Sequence, residues 1–110
     1  MNTLVFDVGG TRTRVGRSDG ELRQVIRYRT PRTWTRAKQL FLVAASQLFS
    51  GKKIQRVVGG LPGDFDSGHK KLRFVPNIPA WRGQPIQRDL EFMFKAPIRL
   101  ENDAALAALG

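Results

Sequence analysis

"VFDVGGTRTRVG", Val5 to Gly16, decides how the chain begins. A short apolar run ends on a carboxylate, Asp7, and then meets two glycines, a threonine and alternating basic residues. Apolar positions on both sides of Gly9-Gly10 read as two strands, Thr3 to Phe6 and Thr13 to Arg17, joined by a tight turn into a β-hairpin. Asp19-Gly20 supplies a second turn pair, and Val25 to Thr30 alternates as a third antiparallel strand. The opening is therefore a three-stranded meander. Pro31 ends it, and Ala37, Leu40, Phe41, Ala44 and Leu48 recur at helical spacing to about Phe49, with Ser50-Gly51 as the stop. Ile54 to Gly60 is a fourth strand, expected to lie parallel to an earlier one after a helical crossover.

From Leu61 to Arg82 the chain is rich in Gly, Pro and Asp and reads as a functional loop region, with "KLRFVPN" as a short strand inside it. Pro85 suits the first position of a second helix, whose apolar residues Ile86, Leu90, Met93 and Phe94 share a face. "APIRLEND" is a fifth strand. "AALAALG" then begins a helix of scarcely two turns, so the chain is expected to be truncated within an element.

A length of 110 residues suits one small domain and leaves little room for a two-lobed enzyme with an enclosed cleft. The 41% hydrophobic content fits a folded chain, and no tract is long and apolar enough to span a membrane. The N-terminus lacks a signal-peptide core, which gives a cytoplasmic expectation. With no cysteine and a single histidine, His69, neither a disulfide framework nor a thiolate metal site can form. The formal charge of +10 raises the question of a polyanionic partner, either nucleic acid or nucleotide. Its arginines are dispersed over strands and a helix start, a pattern that reads as solvated faces.

Candidate chemistry begins at the hairpin. Asp7 ends a strand, and Gly9-Gly10 let the backbone pass close to a ligand with its N–H groups exposed, which suits phosphate. Thr11 can add a hydroxyl, and Asp7 can hold a hydrated magnesium ion. The rival reading is a hairpin whose glycines only supply positive φ. This is not a Walker loop, because a second strand follows where a helix would stand and no Gly-Lys-Ser/Thr ending is present. Arg12 and Arg14 alternate onto one face where either can approach a phosphate, with solvation the reading for Arg14.

Asp64 and Asp66 in "GGLPGDFD" read as turn formers. In "VPNIPAW", Asn77 is fixed between two prolines, and its amide both donates and accepts, as sugar hydroxyls require. Trp81 reads as the hydrophobic anchor of that loop, with stacking on a ligand as the alternative. Asn102 and Asp103 fall where a strand runs into a helix. Asp103 there is either an N-cap, worth about 1 kcal/mol, or an ionised weak base, which phosphoryl transfer through a loose transition state tolerates.

Taken in order, "FDVGGT", "GLPG", "PNIPAW" and "ENDAALAALG" resemble the motifs of the ROK family of sugar kinases and repressors, glucokinases included. The resemblance implies an α/β, ribonuclease H-like (actin-like ATPase) fold: a three-stranded antiparallel meander extended by parallel strands, with helices packed on the sheet. Residues 1–110 match the first of two lobes. By the same resemblance Asp7, Gly9, Gly10, Thr11 and Arg12 form the first phosphate loop for ATP and Mg2+. Gly63, Asn77, Asn102 and Asp103 bind the sugar, glucose or a related hexose. Asp103 is the base for its 6-hydroxyl, and Glu101 stays outside the site. Arg12 stands where relatives often have lysine, and Ala105 where asparagine is frequent. The second lobe, with its adenosine pocket and its frequent Cys/His zinc site, has no counterpart here, and the full-length protein is expected to be a homodimer. Two rivals remain. One is a ribonuclease H-like nucleic-acid-processing or nucleic-acid-binding domain using Asp7, Asp66 and Asp103, which leaves "PNIPAW" without a purpose. The other is a non-catalytic lobe that binds sugar or a partner subunit.

Overall fold

The computed structural model describes residues 1–62, 64–65, 72–74 and 78–102, leaving aside the side chains of residues 22, 23, 64–65, 72–74 and 102. Three strands open it: β1 (Thr3–Val8), β2 (Arg12–Ser18) and β3 (Leu22–Arg29). They pair antiparallel, with Val8 opposite Thr13 and Arg12 opposite Arg29, so the expected meander is present. Helix α1 (Trp34–Phe49) follows. It starts where Thr33, in extended backbone, accepts from the Arg36 N–H through its hydroxyl, and it stops where Ser50 turns left-handed at φ 48°.

Strand β4 (Arg56–Leu61) pairs parallel with β1, and β7 (Ile98–Asn102) pairs parallel with β4, completing the order β3-β2-β1-β4-β7. Between β4 and β7 lie a two-stranded pair, β5 (Asp64–Phe65) with β6 (Leu72–Phe74), a 3-10 turn over Pro79–Trp81, and α2 (Ile86–Phe94). Two expectations shift. Pro85 caps α2 from outside the helix and is not its first residue. Asp64 is paired opposite Phe74 in β5 and is not a turn former, whereas Asp66 lies outside the described residues. The final "AALAALG" also lies outside them.

Strand alternation sends Leu4, Phe6 and Val8 to the face that carries the helices. There the Phe6 ring meets Phe41 of α1 at 4.8 Å, and Trp34 meets Trp81 at 5.2 Å. Val57, Leu61, Leu100, Ile86 and Leu90 close the same core. Gly59 stands beside Phe6 in the β1–β4 register, and a Cβ there would come within 2.0 Å of the Phe6 ring. Gly59 and Gly60 thus lie inside β4, where Gly59 makes room for an aromatic ring, and neither is a turn glycine.

Not all of the basic charge is solvated. Arg17 lies 5.8 Å over the Phe49 ring and donates to the Leu48 carbonyl at the end of α1, where a cation favours the helix dipole.

Candidate active site

Parallel pairing of β1, β4 and β7 brings three distant motifs to one edge of the sheet. Asp7 of "FDVGGT" is opposite Gly60, Gly60 is opposite Glu101, and Leu61 of "GLPG" is opposite Asn102 of "ENDA". All lie at the carboxyl ends of their strands, where α/β sheets bind ligands. The β1–β2 hairpin closes over the same edge, with a Gly9 N–H bond to the Arg12 carbonyl at 2.9 Å.

That hairpin is built tightly and from behind. Thr30 donates its backbone N–H to the Thr11 carbonyl at 2.8 Å and its hydroxyl to the Gly9 carbonyl at 2.8 Å. The Thr13 and Thr30 hydroxyls share a buried bond of 2.9 Å. A Cβ on Gly9 would stand 3.0 Å from the Arg12 carbonyl, so a side chain there would force the hairpin to give by a few tenths of an ångström. Among the described residues positive φ occurs at Gly20, Ser50, Gly51, Gly83 and Lys95, and not at Gly9 or Gly10. The reading in which these two glycines serve only left-handed backbone therefore does not hold. Neither Gly10 nor Thr11 donates its N–H to an acceptor among the described residues, and Thr11 and Arg12 are exposed at the tip. Free N–H groups beside an exposed hydroxyl and guanidinium are complementary to a phosphate.

Asp7 departs from a simple metal ligand. Arg14 donates to its Oδ2 at 2.7 Å, and the pair is partly solvent-accessible. Arg14 is consequently not a merely solvated residue. The signal for this contact was present in the sequence: with Gly10-Thr11 as a two-residue connection, Asp7 and Arg14 face each other across the hairpin. Among the described residues no group of three His, Cys, Asp or Glu could hold a metal ion. A lone carboxylate fits magnesium that arrives with phosphates and keeps most of its waters, and does not fit a resident metal centre.

The sugar side is described only in outline. Asn102 ends β7, while Gly63, Asn77 and Asp103 lie outside the described residues. What the structure does show is how the segment after Asn77 is held. Ile78 and Trp81 are fully buried, and the Trp81 indole N–H donates to the Pro31 carbonyl at 3.0 Å, so Trp81 is the anchor expected. Trp34 beneath it donates to Asp89 of α2 at 2.8 Å. Burial alone would raise the Asp89 pKa, but the Trp34 hydrogen bond and the Lys38 and Arg88 charges prevail and hold it below the ordinary carboxylate range. Glu101 pairs with Arg99 on its own strand.

Comparison with known proteins bears on this geometry. The ROK family model matches residues 3–110. An N-acetyl-D-glucosamine kinase of Vibrio atlanticus is 35% identical over 94% of this chain and 35% of its own length. A ROK hexokinase structure from Thermus thermophilus superposes with a TM-score of 0.84 at 33% identity, covering 98% of this chain and 37% of that one. A ROK family glucokinase from Streptomyces griseus, in complex with glucose and AMPPNP, gives a TM-score of 0.84 at 28% identity, covering 98% and 35%. The chain thus spans about a third of the length of these relatives, and its sheet is that of ROK, actin-like sugar kinases.

Proposed function

The chain belongs to the ROK family, and we propose that residues 1–110 form the first lobe of an ATP-dependent sugar kinase. The single observation that carries this reading is the register of β1, β4 and β7, which sets the phosphate hairpin, "GLPG" and Asn102 at one sheet edge. Support for the substrate class comes from relatives named N-acetylglucosamine kinases and from a neighbour that holds glucose and AMPPNP. The proposed acceptor is therefore a hexose of the glucose series.

In this reading the Gly10 and Thr11 N–H groups, the Thr11 hydroxyl and Arg12 hold the phosphates of ATP, while Gly63, Asn77 and Asn102 orient the sugar. The sugar 6-oxygen forms a bond to the γ-phosphorus as the bond from that phosphorus to the ADP oxygen breaks, and the hydroxyl proton passes to Asp103. Mg2+, held by Asp7 through water, supplies neutralisation of the phosphate charge. The whole protein is proposed to be a homodimer. Among the described residues no helix is long and apolar enough to cross a membrane.

In the full-length protein, Asp103→Ala is expected to lower phosphoryl transfer by about two to four orders of magnitude, the range of general-base contributions, with sugar binding retained. Unchanged turnover would remove Asp103 as the base. The isolated lobe, lacking the other wall of the cleft, is proposed to be inactive. Sustained sugar-dependent ATP turnover by the purified 110-residue chain would contradict that.

A further inference from the structure

Thr30 stands immediately after β3 and is only 2% exposed, yet all of its hydrogen bonds run to the β1–β2 hairpin. Its N–H bond to the Thr11 carbonyl is a backbone contact that any residue but proline could make. The two hydroxyl bonds are particular to its side chain. A hydroxyl carries one proton. Thr30 gives that proton to the Gly9 carbonyl at 2.8 Å, so in the 2.9 Å bond between Thr13 and Thr30 the donor is Thr13. The chain of bonds therefore has a direction: Thr13 to Thr30, and Thr30 to Gly9.

Its consequence falls on the next residue. The Gly9 carbonyl and the Gly10 N–H belong to one planar trans peptide unit and point in opposite directions. Drawing the carbonyl back toward Thr30 turns the Gly10 N–H away from it, and that N–H meets no acceptor among the described residues. With glycine on both sides, the unit has no side chain of its own to restrict its rotation, so its orientation is imposed from outside the turn. Thr30 is itself held in place. It precedes Pro31, which favours extended backbone, and the Pro31 carbonyl accepts from the buried Trp81 indole at 3.0 Å. We propose that Thr30 is a positioning residue for nucleotide binding, whose hydroxyl sets the Gly9–Gly10 peptide so that the Gly10 N–H faces the phosphates. The proposal rests on the reading of the hairpin as a phosphate loop.

The test compares two valine variants of the purified 110-residue chain. Thr30→Val and Thr13→Val both remove the buried Thr13–Thr30 bond and both place a side chain of nearly the same shape in that pair, but only Thr30→Val removes the bond to Gly9. One readout is the dipolar coupling of the Gly10 N–H in the weakly aligned, nucleotide-free chain; the other is the Kd for Mg-AMPPNP, followed by the Gly10 and Thr11 amide shifts. Thr30→Val is expected to change the Gly10 coupling and to weaken binding about tenfold, as when the competent orientation is populated about a tenth of the time. Thr13→Val and Thr30→Ser, which keep a hydroxyl donor for Gly9, are expected to leave the coupling in place and the affinity within about threefold. Thr30→Ala, which also lacks the hydroxyl, carries the same expectations as Thr30→Val if the valine variant does not fold. Equal effects of the two valine variants would overturn the proposal, since the buried pair would then act only through stability. So would wild-type affinity, or an unmoved Gly10 coupling, in folded Thr30→Val. A wild-type chain that binds no nucleotide, while the Gly10 coupling still moves in Thr30→Val, would strike the phosphate reading of the hairpin and uphold the orientation that Thr30 imposes, so the two failures are distinguishable.

Discussion

Asp89 shows how much one side chain can hold. It receives the Trp34 indole N–H at 2.8 Å and Lys38 at 3.5 Å, which ties the start of α1 to α2 beneath the segment that bears Trp81. Asp89→Ala strands a mostly buried indole donor and is expected to cost about 1–3 kcal/mol in urea unfolding at neutral pH. Because its folded pKa is lowered, the carboxylate's contribution is fully present above the unfolded value and is lost as pH falls through the folded one. The difference between wild type and variant should therefore narrow in strong acid, and a gap that stays constant down to pH 2 would contradict the assignment. At Gly9 the expectation is local. An added Cβ sits 3.0 Å from the Arg12 carbonyl, so Gly9→Ala should distort the hairpin and weaken nucleotide binding about tenfold while costing the fold only about 1 kcal/mol. Equal losses in both measurements would point to a purely structural glycine.

Between elements, the decisive fit is Phe6 against Gly59. The ring of a β1 residue lies where a β4 side chain would stand, and it meets Phe41 of α1 on its other side. Gly59→Ala overpacks this junction and is expected to destabilise by about 1–3 kcal/mol. Combining it with Phe6→Leu should recover part of that loss, whereas simple additivity of the two changes would deny the contact. This fit has no local signal in the sequence. Alternation and turn residues were enough to place every strand of the main sheet and both helices within a few residues, because those signals are local. Gly59 read only as part of a strand, because a missing side chain carries no sign of the ring it admits from a strand more than fifty positions away. Arg14 read as solvated for a similar reason. Its partner Asp7 becomes visible only once the hairpin register is fixed. Arg17 likewise belongs to the end of α1, which no pattern within β2 reveals.

At the scale of the whole molecule, the chain spans about 35% of the length of a curated relative, and its motifs on β1, β4 and β7 gather at the carboxyl ends of neighbouring strands. The order of four motifs was legible in the sequence. Their meeting at one sheet edge follows from the parallel pairing of β1, β4 and β7, a consequence of topology that no single motif encodes. Asp103, Asn77 and Gly63 lie outside the described residues, so the sugar half of the site rests on their place in those motifs. The proposed phosphate half is supported by geometry: a hairpin closed by Thr30, with the Gly10 and Thr11 N–H groups turned to no protein acceptor among the described residues. The central claim is therefore tested most directly by amide NMR of the 110-residue chain titrated with Mg-AMPPNP. The largest shifts are expected on Gly9, Gly10, Thr11 and Arg12, and in Gly9→Ala those of Gly10, Thr11 and Arg12 should need about tenfold more nucleotide to reach half-saturation. Saturable nucleotide binding that leaves those amides unmoved, or no binding by a folded chain, would contradict it.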